Sequence, residues 1–72
     1  MNNLNSASVG HKVVVKDLAK DSRFRKRLLD MGVTPGVTMQ IIGKAPLGDP
    51  IEVAVRGYKL VLRKNEADAV LL

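Results

Sequence analysis

The sequence predicts a mainly β fold: a small five-stranded barrel with one short α-helix between its first and second strands. Three observations lead there. The chain has 72 residues and no cysteine, so disulfides and thiolate metal sites cannot brace it and regular structure must supply its stability. Short strand-like segments recur along the whole length, and closing them into a barrel hides the edges that a flat sheet of this size leaves open. The clearest two of these segments flank a two-residue turn, which is a strong hairpin signal.

The elements follow in order. The lead-in, Met1 to Ser8, is largely polar beyond Leu4 and Ala7 and is expected to be loosely held. Val9-Gly10 turns the chain into a valine-rich first strand, Lys12 to Leu18. Asp21-Ser22 is a helix start signal, because either side chain can accept from the unpaired N–H groups of a first turn. The helix extends to about Met31. Gly32 stands where a left-handed residue ends a helix, and Val33 where its hydrophobic contact falls. Thr34-Pro35-Gly36 then reads as a type II turn.

Val37 to Gly43 alternates as a second strand, with Val37, Met39 and Ile41 on one face. Ala45 to Pro50 breaks it as a loop. Ile51 to Arg56 and Lys59 to Arg63 flank Gly57-Tyr58, read as a type II′ turn with glycine first. That register sets Val55 against Leu60 and Val53 against Leu62 on one face. The other face carries Ala54 opposite Val61 and Glu52 opposite Arg63. Asn65 to Ala69 reads as a single helical turn and Val70 to Leu72 as a last strand closing against the first. The expected core is Val13, Val15, Phe24, Leu28, Met39, Ile41, Val53, Val55, Leu60 and Leu62.

On a helical wheel Phe24, Leu28 and Met31 share one face, and Arg23, Lys26 and Arg27 another, with Asp30 among them. Leu29 falls outside the apolar stripe, beside Arg25. Twelve Lys and Arg against seven Asp and Glu give a net charge of +5. An acidic partner suits that balance: nucleic acid, an anionic membrane leaflet or an acidic protein face. Single-strand binders stack bases on aromatic platforms, yet the one Phe lies on the buried helix face and the one Tyr in a turn. Specific nucleic-acid binding is therefore not expected.

No catalytic residues are expected either. His11 is the only histidine, and no carboxylate pair or glycine-rich phosphate loop is placed for chemistry. His11, Asp49, Glu52, Glu66 and Asp68 could donate to a metal, but no two stand at a recognised ligand spacing. No cofactor and no tight metal site are expected; weak binding of ferrous or another transition-metal ion stays open. The longest aliphatic runs, Val13 to Val15 and Val70 to Leu72, fall far short of the roughly 20 residues of a membrane-spanning helix.

Three segments carry a family resemblance. Arg27-Leu28-Leu29-Asp30-Met31-Gly32-Val33-Thr34-Pro35-Gly36-Val37, Ala45-Pro46-Leu47-Gly48-Asp49-Pro50-Ile51 and Leu60-Val61-Leu62-Arg63-Lys64-Asn65-Glu66-Ala67 resemble, in order and spacing, the signature of the FeoA family. With Leu4 and Gly10 they span nearly the whole chain. Ala7 stands where the family usually has leucine, so the lead-in is expected to pack more loosely.

The resemblance implies one FeoA-like domain over residues 1–72, an SH3-like barrel also similar to the C-terminal module of iron-dependent repressors of the DtxR kind. It further implies a cytoplasmic, non-enzymatic adaptor in bacterial ferrous iron uptake, a monomer or weak oligomer that binds the cytosolic part of a FeoB-type transporter. A free-standing regulatory module contacting a repressor or nucleic acid is the alternative. The residues expected to meet the partner, with an anionic membrane surface as a further candidate, are Arg23, Arg25, Lys26, Arg27 and Leu29 on the helix with Leu47, Gly48 and Asp49 in the loop.

Overall fold

The computed structural model describes residues 3–72. A 3-10 turn at Leu4–Ser6 is followed by β1 (Lys12–Val14), β2 (Asp17–Leu18), α1 (Arg25–Asp30), β3 (Thr38–Lys44), β4 (Ile51–Val55), β5 (Tyr58–Leu62), α2 (Lys64–Asp68) and β6 (Val70–Leu71). The strands pair antiparallel in two sheets, one ordered β1-β3-β4-β5 and one of β2 with β6.

The segment read as one first strand is thus two. Val15 N donates to Val37 O at 2.9 Å, while the next amide, Lys16 N, donates to Leu71 O at 2.8 Å. At that corner the chain leaves the partner ahead of β3 and takes up β6, so both sheets share it. Five expected strands become six, and the ladder does not run round as one closed sheet. The last strand still pairs with the second half of the first segment, Asp17 opposite Leu71 and Leu18 opposite Val70.

Helix α1 starts at Arg25, later than Asp21-Ser22 implied. Ser22 spends its acceptors ahead of the helix: Oγ takes Phe24 N at 3.1 Å and the carbonyl takes Arg25 N at 3.2 Å. The exit is as expected. Gly32 N donates to Leu29 O, Val33 N donates to Leu28 O, and Val33 and Leu28 are both buried, which is a Schellman ending with its apolar contact. Val37 N donates to Thr34 O at 3.0 Å across Pro35-Gly36, as the turn requires.

The β4–β5 hairpin has a two-residue turn, one position earlier than expected. Arg56 and Gly57 form it, with φ of 51° and 85°. Positive φ at both central residues fits type I′, and the non-glycine residue bears the strain. Partners shift by two: Val55 faces Tyr58, Val53 faces Leu60 and Ile51 faces Leu62, while Glu52 lies opposite Val61 rather than Arg63. An even shift keeps every side chain on its expected face. Across β3 and β4 the register breaks between Ile41 and Gly43. This bulge leaves Ile42 exposed.

Of the expected core, Val15, Leu28, Met39, Ile41, Val53, Val55 and Leu62 are buried. Val13, Phe24 and Leu60 are half-buried and packed against it. Ile51, Leu18, Val33, Ala67 and Val70 join it, and so does Leu4, at 0% exposure. From Asn3 onward the lead-in is therefore not loose, Met1 and Asn2 lying outside the described residues. Asn5 Nδ2 donates to Lys64 O at 3.2 Å and to the Asp68 carboxylate, Lys44 Nζ donates to Asn5 O at 3.1 Å, and Asn3 bridges to Leu71.

Candidate partner-binding surface

Helix α2 is where the three signature segments meet. Five residues cannot hold a helix by themselves, and its start is held by one side chain from a distant loop and one of its own. Asp49 Oδ1, from the β3–β4 loop, accepts Lys64 N at 3.0 Å. Glu66 Oε1 reaches back to accept Arg63 N at 3.0 Å, the acidic half of a capping box. Arg63 has no side-chain acceptor to return the bond, and that is why this helix start is hard to see in the sequence.

Glu66 is 4% exposed. Its second oxygen has no hydrogen-bond partner but lies 3.4 Å from Arg27 Nη1 of α1. Taking a carboxylate out of water is costly unless a cation stands beside it. Arg27 fills that role while most of its own side chain stays in solvent, at 67% exposure. The sequence offered Glu66 as a scattered metal donor and as part of the third signature segment, but gave no sign of its burial beside Arg27.

The two elements expected to touch a partner thus both arrive at α2, Asp49 at its first residue and Arg27 at its third. Their members differ in freedom. Lys26 is exposed, Arg23 sits with its guanidinium 5.1 Å from the Phe24 ring centroid, and Arg25 is half-buried. Leu29, outside the apolar stripe of the wheel, is half-buried and packed against the core. Leu47 is 95% exposed at the loop tip, between Ala45 and Gly48 whose carbonyl and amide close the turn at 2.7 Å. Gly48 is half-buried and Asp49 exposed.

His11 is exposed, and its backbone carbonyl accepts Ile41 N at 3.0 Å as part of the sheet. Among the described residues no three His, Asp or Glu side chains come together as a metal-binding group. None of the described helices is long and apolar enough to cross a membrane.

Antiparallel strands in two sheets, a helical loop after the first two strands and one helical turn before the last define an SH3-like domain. The FeoA domain family matches residues 2–72, and the chain belongs to it. A fusion protein of Fe(2+) transport protein A and the Fe(2+) transporter FeoB from Porphyromonas gingivalis is 33% identical over 64 residues, covering 89% of this chain but only 8% of that protein. The solution structure of an FeoA-like protein from Clostridium acetobutylicum has a TM-score of 0.89 at 43% identity, over 96% of this chain and 80% of that one. FeoA of Stenotrophomonas maltophilia, a prokaryotic SH3 domain protein crystallised with zinc, has a TM-score of 0.85 at 24% identity, over 99% and 88% of the two chains. A manganese-dependent transcriptional repressor shares the fold at 17% identity, with a TM-score of 0.83 over 99% of this chain and 41% of that one. The family is tied to ferrous iron transport.

Proposed function

We propose that this chain is an accessory domain of ferrous iron uptake that binds the cytosolic part of a FeoB-type transporter and performs no chemistry of its own. The observation that carries this reading is the fusion, in which a relative of this chain and a FeoB transporter share one polypeptide. Tethering raises the effective concentration of one module at the other, which is useful when the contact between them is weak. The contact is made by Arg23 just ahead of α1, by Lys26 on the helix's exposed side, and by Leu47 at the loop tip. Basic residues held beside an anionic inner leaflet add about 1 kcal/mol each, within a Debye length of the surface.

The test uses residues that the fold does not need. Arg27 and Leu29 are poor choices, since one neutralises Glu66 and the other packs on the core. Lys26→Glu combined with Leu47→Ser is expected to weaken pull-down of the transporter's cytosolic part by about tenfold, as loss of central contacts does. Ferrous iron uptake should fall with it. Wild-type uptake and capture by the double variant would remove this surface from consideration.

Iron is cargo of the transporter in this scheme, and the domain's scattered donors do not suit a resident metal. Calorimetry with ferrous or zinc ion is expected to give only weak, non-stoichiometric heats. Tight one-to-one binding abolished by His11→Ala would contradict it.

A further inference from the structure

We propose that the free edge of β5 is a second binding site, which takes an extended protein segment of alternating acidic and apolar residues as an added strand. The proposal does not rest on the transporter reading. In the four-stranded sheet β5 is an outer strand. Val55 and Tyr58 close the two-residue turn and form its hydrogen-bonded pair, so in an antiparallel ladder Val53–Leu60 and Ile51–Leu62 are hydrogen-bonded too. Lys59 and Val61 then turn their N–H and C=O groups away from β4. Among the described residues no other hydrogen bond reaches those groups.

Both side chains are exposed, Val61 at 53%. Tyr58 and Leu60, on the inner side of the same edge, are exposed and half-buried in turn. An added strand would therefore lay one set of alternate side chains beside Tyr58 and Leu60 and the other beside Lys59 and Val61. The edge of β1 offers a shorter row, with only Lys12 and Val14 turned outward by the same alternation.

Charge selects the occupant. From Arg56 to Lys64 the chain carries Arg56, Lys59, Arg63 and Lys64, all exposed, and no acidic residue. The one carboxylate paired with Lys59 is Glu52, at 3.2 Å in a bridge whose side chains are 60% and 43% exposed. Such a bridge is weak and a partner's carboxylate can replace it. Lysine on an edge also repels the edge of a second copy of the chain. A basic rim on an unpaired strand suits an acidic strand from another protein, with main-chain bonds giving affinity and alternate side chains giving selection.

The experiment is an NMR titration of the 72-residue chain with the capped peptide Glu-Val-Glu-Val-Glu-Val-Glu. Expected are shifts centred on Lys59 and Val61 and slowed amide exchange at both. A Lys-Val peptide of the same length should not bind. Two N-methylated peptides, one methylated at the glutamates and one at the valines, test main-chain pairing, and at least one should bind about tenfold more weakly, having lost its donors. On the protein, Val61→Pro removes an outward N–H that β4 does not use, a place where an edge strand accepts proline, and should abolish the exchange protection. Lys59→Glu should weaken binding while leaving the spectrum folded, so the result does not hang on Val61→Pro folding. Absence of binding at about 1 mM peptide, shifts confined to α1 or β1, or both methylated peptides binding as tightly as the unmethylated one would overturn the proposal.

Discussion

Gly32 carries two constraints at once. Its φ is +91°, and a Cβ there would lie 2.7 Å from the Tyr58 hydroxyl oxygen, 3.4 Å from Arg56 Cδ. Tyr58 OH donates to Met31 O, Arg56 Nε to Gly32 O at 3.3 Å and Arg56 Nη2 to Thr34 Oγ1 at 3.0 Å. The tip of the β4–β5 hairpin is thereby clamped to the exit of α1. Gly57 shares the positive φ, at 85°, but a Cβ there meets nothing within 4 Å. Gly57→Ala is expected to cost about 1 kcal/mol from backbone conformation alone, and Gly32→Ala about 2–3 kcal/mol because crowding adds to it. Urea unfolding of the two variants compares them; equal losses would show that Tyr58 yields without cost. The same clamp explains why the turn falls one position earlier than the sequence suggested. Alternation of Val53, Val55, Leu60 and Leu62 tells which face is buried, and any slip by two preserves it. The choice between such slips is made by Arg56 and Tyr58 reaching residues that are distant in the chain, which no local pattern records.

At the scale of elements, α2 shows how little of a short helix resides in its own residues. Its first amide is held by Asp49, its third residue is buried beside Arg27, and its first carbonyl accepts from Asn5. The three segments that resemble the FeoA signature look separately like turn chemistry, and their order in the chain was legible. Their meeting was not, because an ion pair between α1 and α2 leaves no periodicity in either. Asp49→Ala should cost about 0.5–2 kcal/mol, as loss of a capping acceptor does. Arg27→Ala should cost more, about 3 kcal/mol or above where a buried carboxylate is left uncompensated, although solvent reaching the Arg27 side of the pair reduces that figure. Chemical denaturation gives both losses, and faster amide exchange at Lys64 in Asp49→Ala would localise the first. An Arg27→Ala variant as stable as wild type would mean that Glu66 is neutralised another way.

Over the whole molecule the limiting quantity is the core. A chain of this size buries only about 60% of its unfolded surface, and two sheets that share a corner rather than closing leave an end to be covered. Leu4 covers it, wholly buried alongside the cluster that includes Val70, Ala67 and Ile51. In the sequence Leu4 is one apolar residue among asparagines and serines, and nothing local separates a plug from a stray leucine on a tail. Its burial follows from α2 and β6, which have too few apolar residues to shield the core edge between them and so take one from the other terminus. Removing a buried leucine's methyl groups costs about 2–5 kcal/mol, against a total of about 5 kcal/mol or little more for a domain this small. Leu4→Ala should therefore bring the thermal unfolding midpoint down by many degrees and leave a measurable unfolded fraction at room temperature. Leu47→Ala, at a position 95% exposed, should shift stability by less than about 0.5 kcal/mol. Thermal melts of the two, followed by circular dichroism, read the contrast directly. A Leu4→Ala melt overlying that of Leu47→Ala would mean that the lead-in rests on the barrel without holding it together.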